Sequence, residues 1–167
     1  MTLIEVMLAV GILTIVVLGT SFYRYYSSID SRKATMQTAA GRIGLLLSES
    51  WGGLKGSTTY DPVAHLGSAL AISPPSYSGD DISAYIPAGY KPADFNLLGA
   101  YDVYIGNDLY CAILSWKDTA VGLRTLYTAV VWEPRTAIQD DGSSYMFTNR
   151  LSSPTNQHFA ISTYAAY

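Results

Sequence analysis

The stretch Thr2-Leu3-Ile4-Glu5-Val6-Met7-Leu8-Ala9-Val10-Gly11-Ile12-Leu13-Thr14-Ile15-Val16-Val17-Leu18-Gly19 decides how the rest of the chain is read. From Val6 to Tyr23 there is no charged residue, a run of 18. That length and apolarity match a helix able to span a bilayer. Glu5 is the anomaly in it. A carboxylate beside a membrane segment costs free energy unless something pairs with it, so it marks a functional position by default. The nearest cation of suitable geometry is the amino group of Met1 on a neighbouring copy.

Outward from this run, Phe22-Tyr23-Arg24-Tyr25-Tyr26 reads as an aromatic belt of the kind found at membrane interfaces. The first basic residues after the apolar run are Arg24, Arg32 and Lys33, and none precedes it. Taken literally, the positive-inside rule puts everything after Arg24 in the cytoplasm, whereas a removed basic leader reverses the topology and puts the large domain outside. A cleavable secretory signal fits poorly, because there is no basic n-region and no small-x-small site behind the run.

Residues 2–51 contain no proline, and Gly52-Gly53 offers a stop signal, so one helix of about 50 residues is expected, roughly 75 Å long at the α-helical rise. Its second half changes character. Ile29, Met36, Ala40, Ile43, Leu47 and Trp51 recur three or four apart for the most part and form one apolar stripe, with Asp30, Arg32, Thr35, Gln37, Thr38, Arg42 and Glu49 largely off it. The first half is expected in a membrane or a filament core; the second is expected to be the spine of a head domain. Gly11 and Gly19 weaken the first half by about 1 kcal/mol each relative to alanine. They suit either local unwinding or close helix–helix packing.

Residues 53–98 are rich in Gly, Pro, Ser and Tyr and read as a long loop region. Within it, Asp61-Pro62 opens a short helix running toward Leu70, and Pro74-Pro75, Ser78 to Asp81 and Pro87 to Gly89 read as turns. From about residue 99 the pattern becomes strands: 100–105, a turn at 106–108, 109–116, 123–132 and a last strand at 157–164. Helix first and antiparallel strands after is an α+β architecture, with one sheet face packed on the stripe. The expected division is 1–24 apolar helix, 25–52 amphipathic helix, 53–98 loop region and 99–167 sheet and C-terminal region.

The opening Met1-Thr2-Leu3-Ile4-Glu5-Val6-Met7 and the apolar run behind it resemble the mature N-terminus of type IV pilins and the related type II secretion pseudopilins. The resemblance covers about the first 25 residues. It implies a prepilin whose leader is removed, Met1 as the processed and N-methylated residue, and Met1 with Glu5 as the assembly pair. Leu3, Ile4, Val6, Leu8, Val10, Ile12, Leu13, Val16, Val17 and Leu18 would form the membrane or filament core. By family it further implies self-assembly into a helical homopolymer, with a prepilin peptidase, an assembly ATPase and an inner-membrane platform as partners. The chain would pass from the inner membrane to an extracellular filament serving adhesion, motility, DNA uptake or secretion. The loop region would be the family's variable loop exposed on the filament. Many of these proteins close a C-terminal loop with a disulfide; one cysteine, Cys111, forbids it here. The last segment must then be held by strand pairing, packing or a metal.

Other chemistry is thin. Charged residues are 14 % and the net charge is −3, which argues against nucleic-acid binding. Asp80-Asp81 and Asp140-Asp141 are weak calcium candidates, because calcium takes six to eight oxygens and solvated turn aspartates need none. Cys111 with His65 or His158 is a conceivable nucleophile pair, though a mid-strand cysteine is more often a small buried apolar residue. Stacked aromatics at Phe22, Tyr23, Tyr25, Tyr26 and Trp51 invite an electron-transfer reading, against the plainer one of belt and core. Neither a Gly-Lys-[Ser/Thr] loop, a Gly-x-Ser-x-Gly elbow nor a Cys-x-x-Cys-His motif occurs, so neither enzyme activity nor a cofactor is expected.

Overall fold

The computed structural model describes residues 2–67, 69–74, 86–133, 151 and 156–167. The architecture is α+β: helix α1 (Leu3–Gly53), a short α2 (Pro62–Leu66), and strands β1 (Ala71–Ser73), β2 (Asn96–Ile105), β3 (Asp108–Ala120), β4 (Leu123–Trp132) and β5 (Gln157–Ala166). The strands form one antiparallel sheet in the order β1-β2-β3-β4-β5. The chain divides into two compact units, Met1–Thr35 and Met36–Tyr167.

The second unit is organised by the amphipathic half of α1. Met36, Ala40, Ile43, Gly44, Leu47, Ser48 and Trp51 are its buried residues: five of the six expected stripe residues, with Gly44 and Ser48 beside them; Ile29, the sixth, lies in the first unit and is half-buried. They pack on the side chains of one sheet face, Val103, Tyr110, Ala112 and Leu114 from the middle strands and Leu126, Val130 and Trp132 from β4. Burying a single leucine of this kind stabilises by about 2 kcal/mol. A buried polar pair on this interface is satisfied: Ser48 Oγ donates to Thr128 Oγ1 at 3.1 Å. Gly44 lets the helix lie close against β4 and β5. A Cβ there would lie 3.2 Å from the Phe159 ring and 3.6 Å from Val130.

α1 ends where Gly52-Gly53 announced, but neither glycine makes the turn. The left-handed positions are Lys55 (φ 55°) and Gly56 (φ 63°), and Gly56 N–H donates back to Trp51 O at 3.0 Å. Gly56 is also the tight spot, since a Cβ would meet Leu126 at 3.0 Å and Ala165 at 3.1 Å. α2 is capped as expected, with the Asp61 carboxylate accepting from Val63 N–H at 3.0 Å and Pro62 at the first position, but it stops at Leu66 rather than near Leu70.

The strands run longer than their apolar pattern. β2 begins at Asn96 and β3 continues to Ala120, because Lys117 and Asp118 keep ladder partners in Thr125 and Arg124 although neither is apolar. β1 was not expected. Three residues are too few to show a period, yet Ile72 pairs with Val103 and is buried.

The loop region also contributes to the packing. Ile86 and Tyr90 fold back with Leu97, Tyr127 and Leu151 over Ala100, Cys111, Ile113, Ala129 and Val131, making a second core on the far face of the sheet. This face is therefore covered, not bare. Cys111 lies in that core and is buried.

The C-terminus is held by strand pairing and by Arg124. All ten residues of β5 pair with β4, and Tyr167 N–H donates to Gly122 O at 3.1 Å. Arg124 is 8 % exposed. Its Nη1 donates to Gly56 O at 2.8 Å, and Nε and Nη2 donate to the two Asp118 carboxylate oxygens at 2.7 and 3.2 Å. Its guanidinium sits 4.1 Å from the Trp116 ring centre and 4.6 Å from that of Tyr167. One side chain thus ties together the turn after α1, the β3–β4 hairpin and the last residue.

Candidate assembly surface

The residues that carry the resemblance lie in the first unit. Here α1 meets no core: Leu3, Ile4, Val6, Met7, Leu8, Val10, Ile12, Leu13, Ile15, Val16, Val17 and Leu18 are all exposed, from 48 % at Val6 to 79 % at Leu3. Scattered exposed leucines are ordinary, whereas a contiguous apolar surface of this extent marks a membrane or protein interaction site. The segment is long and apolar enough to cross a membrane, and none of it is buried within the chain.

Its polar groups fit an apolar surrounding. Thr14 Oγ1 donates to Val10 O at 2.8 Å, Thr20 Oγ1 to Val16 O at 3.0 Å, and Ser21 Oγ to Val17 O at 2.8 Å. In lipid or in a dry helix bundle these hydroxyls need no outside partner, which removes a cost of several kcal/mol per group. Phe22, Tyr23, Tyr25 and Tyr26 follow directly, all exposed, with Tyr25 and Tyr26 in an edge-to-face pair 5.8 Å apart. Trp51 does not extend this belt; it is fully buried and stacks on Tyr60 at 5.9 Å.

Glu5 has a local role that the apolar reading overlooked. Thr2 N–H donates to Glu5 Oε2 at 2.8 Å, and Thr2 O accepts from the backbone N–H groups of Glu5 and Val6. Thr2-x-x-Glu5 is the spacing of a capping box, in which the carboxylate satisfies an orphan donor and complements the helix dipole. The Thr2-x-x-Glu5 spacing is visible in the sequence itself. A carboxylate has capacity beyond one bond, so capping and a second partner are compatible. Met1 lies outside the described residues. α1 is continuous through Gly11 and Gly19. Gly11 leaves open space on the helix surface beside Met7, Leu8, Ile12 and Ile15, as close helix–helix packing at small residues requires.

The remaining candidates separate. Register sets Cys111 opposite Val131 and Val131 opposite His158, so the cysteine and histidine stand two strands apart, roughly 9 to 10 Å, too far for proton transfer. His65 is exposed, its Nδ1 2.8 Å from Asp61 O. Among the described residues no group of three or more His, Cys, Asp or Glu could hold a metal ion. Asp80, Asp81, Asp140 and Asp141 lie outside them. Comparison with protein-family models, with curated proteins and with solved structures finds no match to this chain.

Proposed function

We propose that the chain is a structural subunit of an extracellular filament of the type IV pilus kind, polymerising through the first half of α1. The observation that carries the reading is the exposed, contiguous apolar surface of residues 3–18, with the Thr14 hydroxyl bonded within the helix and its sole carboxylate at the start. Glu5 pairs with the Met1 amine of a neighbouring copy. Both charges are costly alone in an apolar core, so the pair selects one axial register. The chain inserts in the inner membrane before assembly and is handled there by a prepilin peptidase, an assembly ATPase and a platform protein. A pseudopilin or minor pilin of a secretion system has the same physical basis.

One observation favours a second reading, a membrane-anchored binding module that does not polymerise: Glu5 already caps its own helix. The Glu5→Ala and Glu5→Lys variants separate the two. In the filament reading both insert into membranes normally but yield few or no filaments in electron microscopy of sheared cell-surface material. Filament yield equal to the parent removes the registration role, and absence of the parent chain from such filaments favours the anchored module.

A further inference from the structure

The outward face of α1 in the second unit carries a pattern that meets no partner among the described residues. Arg42, Leu45, Leu46 and Glu49 fall within an arc of about 100° at 3.6 residues per turn, opposite the buried stripe. All four are exposed, Leu45 at 47 % and Leu46 at 43 %. Arg42 and Glu49 are seven positions apart, about 10 Å along the axis, beyond the reach of an ion pair within one helix. Gly52 and Gly53 continue the same face, and a Cβ built on either meets nothing within 4 Å.

We infer that this face binds a second copy of the chain lying parallel and offset by seven residues. At that offset Arg42 of one copy stands level with Glu49 of the next. The same offset brings Leu45 and Leu46 of the one level with Gly52 and Gly53 of the other, so apolar side chains meet open backbone. Charge and shape select the same displacement. An antiparallel pair would also match the charges, but copies held through the same N-terminal segment in one membrane share a chain direction. Both copies present the same face, so this contact pairs two chains, and growth of the polymer rests on the N-terminal segment. This inference rests on the filament reading above and adds to it an interface outside the apolar segment.

The test uses the full chain assembled from membranes, with polymer measured by sedimentation and microscopy. Arg42→Glu and Glu49→Arg each place like charges across the contact and lower polymer yield by about three- to tenfold, the scale of an exposed pair turned repulsive. Mixing the two variants restores yield, because each mismatched position then finds its opposite on the other chain; the double variant R42E/E49R restores it too. A purely structural defect in either variant would not be rescued by mixing. Chains carrying Leu45→Cys cross-link to chains carrying Gly52→Cys and not to each other. Unchanged yield in both single variants, failure of the mixture to recover, or cross-linking of Leu45→Cys with itself overturns the offset contact while leaving the filament reading standing. A parent chain that forms no polymer overturns both.

Discussion

Truncating Arg124 to alanine removes the tie between three distant parts of the head. The magnitude follows from what is left behind. The Gly56 carbonyl, accepting from Nη1 at 2.8 Å, loses its charged donor in a buried position, which costs about 1 to 3 kcal/mol. The cation–π contacts with Trp116 and Tyr167 contribute about 0.5 to 1 kcal/mol each. The Asp118 carboxylate faces water, so its link is given no weight in this figure. A loss of about 3 kcal/mol results. For a head of about 130 residues this lowers Tm by about 10 °C. The assay is thermal unfolding of the full chain in detergent micelles, followed by near-ultraviolet circular dichroism. That signal reports the packed tryptophans Trp51 and Trp132 and is blind to the helix embedded in the micelle. Arg124→Lys should recover less than half of the loss, since one ammonium cannot serve the carbonyl and both ring faces at once. A Tm for Arg124→Ala within 2 °C of the parent would refute Arg124 as the side chain that ties the C-terminus to the turn after α1.

Two further outcomes concern the helix–sheet core and its pH range. Leu47→Ala, at a fully buried position of the stripe, should cost about 3 kcal/mol, read as a lowered denaturant midpoint with unchanged slope; a cost under 1 kcal/mol would mean the stripe is not the core. The Tyr101 hydroxyl is pushed up to about 12, first by burial and then by the neighbouring Asp61 and Tyr60. Its proton is held more tightly in the folded chain than in the unfolded one. The resulting stability is fully present below about pH 10, the ordinary tyrosine value, and is lost as pH rises toward 12. Tyr101→Phe should flatten the fall in Tm between pH 10 and 12, and an identical alkaline profile would remove Tyr101 as its source.

What was legible in the chain was local. The 18-residue uncharged run, the stripe from Met36 to Trp51, the Asp61-Pro62 cap and the strand cores of β2, β3, β4 and β5 each follow from periodicity or from a backbone preference that operates within a few residues. The Thr2-x-x-Glu5 cap was equally local and was present to be read. The second core was not, because Ile86, Tyr90 and Leu151 lie in stretches without a period and come against the sheet, Leu151 buried and the other two partly so, only by where the chain returns. The three residues of β1 and the polar end of β3 exist as strands because a neighbouring strand supplies their hydrogen bonds.

The sequence by itself determined that an apolar N-terminal helix joins an amphipathic one, that an antiparallel sheet follows, and that no disulfide can close the C-terminus. Hydrophobic period and residue chemistry are properties of neighbours along the chain, so they need no fold to be seen. The tertiary structure decided which elements meet. It showed that both sheet faces are covered, that Gly56 rather than Gly52 or Gly53 makes the tight turn, and that Arg124 binds Gly56 and Tyr167 across long sequence separations. It also placed Arg42, Leu45, Leu46 and Glu49 on the outer face of α1. A contact between distant residues depends on the path of the whole backbone, and no window of sequence contains that path.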